Sequence, residues 1–129
     1  MPKITCETPS QFDACLAQAE ALCTDDTQLY IYFTGAKNPD TGVSWCPDCT
    51  RAEPLVNKVL SGLPAGCIFL EVPIQREDFR QPEFGLRSDP RVVLKCVPTL
   101  MKWVRGKALG RLDDRQSQIE EMIVDLVEA

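Results

Sequence analysis

The stretch SWCPDC, residues Ser44 to Cys49, sets two cysteines three positions apart behind a tryptophan, in a chain without a single histidine. What surrounds it decides its meaning. Upstream, QLYIYFT at residues 28–34 is rich in β-branched and aromatic side chains and bounded by turn formers, the pattern of a buried strand. Downstream, from Pro47 to about Leu60, the pattern is helical and ends at Ser61 and Gly62. The cysteine pair therefore falls where a strand gives way to a helix, at the carboxyl end of a sheet, where open α/β folds place their sites.

Working outward, a short strand is expected around Ile4 to Cys6, then a helix over residues 12–23 capped by Ser10 and broken by Asp25 and Asp26. Phe12, Cys15, Leu16, Ala19 and Leu22 recur along it at helical spacing. CIFLEVPI, residues 67–74, reads as the next strand, and the charged stretch from Gln75 to Pro90 holds at most a short helix. VPTLMKWV and KALGRL read as two strands joined by a hairpin turn at Arg105-Gly106. A last amphipathic helix is expected over residues 114–127, with Ile119, Met122, Ile123, Leu126 and Val127 on one face. Strands separated by helices imply a parallel core, and the terminal hairpin adds an antiparallel edge. The fold class is α/β: a central mixed sheet flanked by helices on both faces.

Composition limits what such a fold can do. With 129 residues, 44% of them hydrophobic, the chain is expected to build one core and to form a single domain over residues 1–129. A net charge of −5 argues against nucleic acid and against anionic membranes. No apolar run reaches bilayer length, and MPKITCETPS lacks the apolar core of a secretory signal, so the expectation is a soluble, cytoplasmic protein. Seven cysteines cannot all pair within one chain. Without a signal, reduced thiols plus one specialised pair fit best, with most of the others acting as small buried hydrophobes.

With Pro47 at the first helical position, Cys46 becomes the helix cap and Cys49 lies one turn in. Unpaired first-turn amides and the helix dipole then converge on the Cys46 sulfur and favour its thiolate. Cys46 is thus the candidate nucleophile and Cys49 the candidate resolving thiol, less exposed and more fully protonated. Structural zinc usually needs four ligands, and a composite site drawn from the scattered cysteines is the weaker alternative. A binding module that carries the pair as a redox sensor also remains open.

WCPDC, with Pro54 five residues after its second cysteine and VPTL at residues 97–100, resembles thioredoxin. YFTG, SWCPDC and AEP bring it nearer to the thioredoxin-related proteins of 14 kDa, the thioredoxin domain-containing protein 17 branch. That resemblance implies a thioredoxin-like fold, a disulfide reductase, and a kinked helix at Pro54. It implies a cis Pro98 beside the cysteines, the Val97 backbone offered to substrate, Trp45 as a wall of the site and Pro47 on the substrate-facing surface. No bound cofactor is implied; electrons would come from NADPH through a separate thioredoxin reductase, and the chain is expected to be a monomer.

Two departures from ordinary thioredoxin stand out. Tyr32 aligns with a buried aspartate, so another proton acceptor is needed, and Asp48 within the motif is the candidate. The loop GAKNPDTGVS is longer than the few residues expected. It should protrude beside Cys46 and restrict substrates to cystine-like small disulfides and selected oxidised, nitrosylated or persulfidated protein cysteines. Cys96, two positions before Pro98, is expected to lean toward exposure.

Overall fold

A computed structural model describes residues 2–24 and 27–129. Its centre is a sheet of five strands in the order β1-β3-β2-β4-β5. β1 (Lys3–Thr5), β3 (Ile68–Ile74) and β2 (Leu29–Gly35) run parallel; β4 (Thr99–Val104) and β5 (Lys107–Leu112) continue it antiparallel. This is the mixed sheet the sequence predicts. β2 lies at its middle with every residue buried, which explains why QLYIYFT is apolar on both sides of the strand alternation.

Alternate residues of β2 feed two cores. Leu29, Ile31 and Phe33 pack with Phe12, Leu16 and Ala19 of helix α1 (Phe12–Leu22) on one face. Tyr30 and Tyr32 pack with Ala52, Val56 and Leu60 of α2 (Pro47–Ser61) and with Ile123 and Leu126 of α5 (Glu120–Glu128) on the other. Each aliphatic side chain buried this fully contributes roughly 2 kcal/mol. Helices thus cover both faces. The hairpin turn falls at Arg105 and Gly106, both at positive φ (50° and 84°), as a type I′ turn requires.

Several local expectations shift. Ser10 does not cap α1: it sits inside a 3-10 turn, Pro9–Gln11, so the helix starts at Phe12 with Gln11 in the cap position. Leu22 ends α1 facing solvent, and the break assigned to Asp25 and Asp26 lies outside the described residues. The last helix is shorter than expected. Gln116–Gln118 form a 3-10 turn, and Ile119, extended and exposed, precedes α5 instead of lining its buried face. Residues 75–90 hold two single turns, α3 (Arg76–Phe79) and α4 (Gly85–Ser88). α2 runs through Pro54 without interruption.

The pattern reading missed one buried charge. Lys102 of β4 is 1% exposed. Its ammonium donates to the Val127 carbonyl at 3.3 Å and to that of Ala129, satisfying carbonyls at the end of α5 that have no partner within the helix. No helix among the described residues is long and apolar enough to cross a membrane.

Candidate active site

The end of β2 and the start of α2 nearly touch, and one glycine allows it. A Cβ on Gly35 would lie 2.8 Å from Ser44 Oγ, 2.9 Å from Cys46 Cβ and 3.0 Å from the Trp45 ring. Without a side chain there, the Gly35 amide donates to Cys49 Sγ at 3.2 Å. Ser44 locks the junction from the other side: its hydroxyl donates to Gly35 O at 2.8 Å and accepts from the Cys46 amide at 3.1 Å.

Cys46 caps α2 in an extended conformation, with Pro47 following as the first helical residue. The Cys49 amide donates to Cys46 Sγ at 3.3 Å, and the Cys46 thiol donates to Val97 O at 3.5 Å. Cys46 is 7% exposed and Cys49 1%, so the second sulfur is the more sheltered, one helical turn from the first. Both are free thiols here. The Cys46 sulfur thus faces an amide and the positive end of a helix of fifteen residues.

Burial pushes the Cys49 thiol up to about 12, with the Thr34 hydroxyl drawing it partly back, Cys46 pushing it further up and the Gly35 amide drawing it down. The stability consequence has a definite sign. Above the ordinary thiol value of 9.0 the unfolded chain releases a proton that folded Cys49 keeps until about 12. Stability is therefore lost as pH rises through that window, by roughly 1.4 kcal/mol per pH unit for one such group. Urea midpoints measured at pH values of about 8 and about 10 should fall between the two, and fall less in Cys49→Ser.

The remaining expected site residues are placed as follows. Pro98 is joined to Val97 by a cis peptide bond, and both residues are buried. Trp45 is half-buried, its Nε1 donating to Ile74 O at 2.8 Å and its ring lying 5.9 Å from that of Phe79. Pro47 is exposed. Asp48 does not face Cys49: its carboxylate pairs with Arg51 one turn on, and among the described residues no hydrogen bond joins it to either thiol. Cys96 is half-buried rather than exposed, its sulfur 3.6 Å from Thr99 Oγ1. The loop after β2 folds back on itself through a bridge between Lys37 and Ser44. An ion pair from Lys37 to Glu53 ties it to α2.

Thr34, Gly35, Ser44 and Phe79 complete the site; the sequence reading gave none of them a role of its own. Tyr32 occupies the place of the missing acid; its hydroxyl is buried without a hydrogen-bond partner of good geometry. Burial, reinforced by Cys49, raises its titration far above any working pH, so it stays a neutral phenol. Among the described residues no cluster of three or more Cys, Asp or Glu gathers as a metal would require.

Solved structures share this fold. Reduced thioredoxin pre-protein from Schistosoma mansoni superposes with a TM-score of 0.58 over 98% of this chain and 99% of that one, at 17% identity. The fold is that of thioredoxin. More particularly, residues 9–129 match the model of the thioredoxin domain of the thioredoxin domain-containing protein 17-like family, and the chain belongs to that family. Thioredoxin-like protein Clot of Arabidopsis thaliana is 34% identical over 92% of this chain and 90% of its own length. Human thioredoxin domain-containing protein 17 is 33% identical over 74% of this chain and 76% of its own.

Proposed function

We propose that the chain is a thiol-disulfide reductase in which Cys46 attacks and Cys49 resolves. The carrying observation is the Cys46 sulfur at the cap of α2, 3.3 Å from the Cys49 amide, with a buried second thiol one turn away. The Cys46 thiolate attacks one sulfur of the substrate disulfide; the other sulfur leaves as a thiolate and takes a proton from solvent. Cys49 then loses its proton and attacks Cys46 Sγ, closing the Cys46–Cys49 disulfide and releasing the second substrate thiol. Two electrons from NADPH, delivered through a separate thioredoxin reductase, reopen the pair. Asp48 takes up the proton of Cys49 by way of water, since its own carboxylate is held by Arg51.

The substrates are small disulfides such as cystine, and selected oxidised, nitrosylated or persulfidated protein cysteines, with the chain working as a cytoplasmic monomer. Support comes from the exposed loop of residues 37–43, folded back beside the motif and tethered to α2, which narrows the approach of large surfaces. Trp45, Pro47, Val97 and Pro98 would frame the entry. NADPH consumption in the presence of thioredoxin reductase should be rapid with cystine and at least about tenfold slower with a protein disulfide of equal thiol content, one factor of ten being a modest 1.4 kcal/mol. Equal rates would remove the proposed selectivity. Turnover of neither would favour a non-catalytic binding module or redox sensor.

A further inference from the structure

A cavity of about 260 Å³ opens beside the motif, between the loop after β2 and the outer face of α2. Lys37, Val43 and Ser44 line it from the loop, and Thr50, Glu53 and Pro54 from the helix. Its near end borders the nucleophile. The Ser44 hydroxyl accepts from the Cys46 amide at 3.1 Å, and the Thr50 amide and hydroxyl donate to the Cys46 carbonyl at 3.1 Å and 3.4 Å. Cys46, Thr50 and Glu53 recur at spacings of four and three, which is one face of a helix and places Glu53 about 10 Å along the axis from Cys46.

One charge of each sign stands in this cavity. Lys37 Nζ lies 2.5 Å from Glu53 Oε1, in a pair that reaches solvent. Exposed pairs of this kind contribute little, so opening one costs little. A third group lacks its regular partner. Pro54 has no amide hydrogen, so the Thr50 carbonyl is without the donor that a helix otherwise supplies at that position, and both residues line the cavity. A carboxylate beside Lys37, with an ammonium beside Glu53 and the Thr50 carbonyl, would satisfy all three.

We propose that this cavity holds the amino-acid end of a small disulfide. The α-carboxylate of cystine pairs with Lys37, and the α-ammonium on the same carbon replaces Lys37 against Glu53 and the Thr50 carbonyl. The inference rests on the reductase reading above and names what selects the substrate. The two α-carbons of a disulfide lie about 5.5–6 Å apart, so a cystine seated by one end reaches back along the helix face toward Cys46. A cysteine within a protein chain carries neither charge on its α-carbon. Free cystine is therefore distinguished from a protein disulfide by its charges as well as by its size.

The test oxidises the reduced full chain with three disulfides and reads the rate at which the Cys46–Cys49 disulfide closes, each variant against the parent chain. Cystine carries both charges, cystamine only the ammonium, dithiodipropionate only the carboxylate. Lys37→Met should slow oxidation by cystine and dithiodipropionate about tenfold, the loss of one charge-assisted hydrogen bond, and spare cystamine. Glu53→Gln should slow cystine and cystamine and spare dithiodipropionate. Both variants break the same ion pair, so a purely structural effect would touch all three disulfides alike. Lys58→Met removes an equal charge near the far end of α2 and should spare all three. Equal effects on the three disulfides, no effect on any, or the Lys37→Met pattern reproduced by Lys58→Met would overturn the proposal and leave the reductase reading standing. A parent chain oxidised by none of the three would overturn that reading, and this inference with it.

Discussion

Cys46→Ser and Cys49→Ser should each lower steady-state reduction of cystine by about a thousandfold or more, yet leave different products behind. Removing a nucleophile removes the covalent route altogether, and such losses commonly span several orders of magnitude. In Cys46→Ser the remaining thiol is 1% exposed and pushed up to about 12, so almost none is ionised at neutral pH and substrate cannot reach it. No adduct should form. In Cys49→Ser the attacking sulfur keeps its place at the cap of α2, still facing the amide of residue 49. It should react once and stop, accumulating a mixed disulfide of one protein to one half-substrate, visible by intact mass. The reverse pattern, an adduct on Cys46→Ser and none on Cys49→Ser, would exchange the two roles.

Gly35→Ala should be nearly as damaging, although position 35 takes no part in bond making. Its new methyl would fall 2.8 Å from Ser44 Oγ and 2.9 Å from Cys46 Cβ, closer than atoms tolerate, and the neighbours belong to a junction locked by Ser44. Overpacking of this kind costs about 1–3 kcal/mol. More telling is the displacement. Moving α2 off the strand end by even about an ångström breaks the contact from the Gly35 amide to Cys49 and misaligns the two sulfurs, a shift of the size that costs roughly a hundredfold in rate. Urea unfolding and cystine turnover should both register the change. A variant that turns over normally would mean that strand and motif are less tightly coupled than their contacts imply.

Much of this arrangement was legible in the residues because it is written in local pattern. β2, α2, β3 and the hairpin announce themselves through runs, caps and turn residues, and Cys46-Pro47 marks a helix start without tertiary information. Missed features depend on what another segment supplies. Ser10 looks like a cap, but the proline before it directs the chain into a 3-10 turn first. Ile119 fits the helical spacing, yet the 3-10 turn before α5 changes the register and leaves it outside. Asp48 stands next to Cys49 in sequence, but its pairing with Arg51 one turn on is a contact the cysteine motif by itself does not announce. Thr34 and Gly35 lie in the YFTG run that marks the resemblance, but only the approach of α2 to the end of β2 gives them a part in the site.

The lysine enclosed beneath α5 gives the protein a built-in reporter. An ammonium group sealed between a strand and the last turn of a helix is hidden from reagents that acylate amines for as long as that helix stays docked. Lysines 3, 37 and 58, by contrast, reach solvent. The lag before position 102 is tagged therefore times the lifting of the carboxyl-terminal helix by itself, apart from any opening of the strands beneath it.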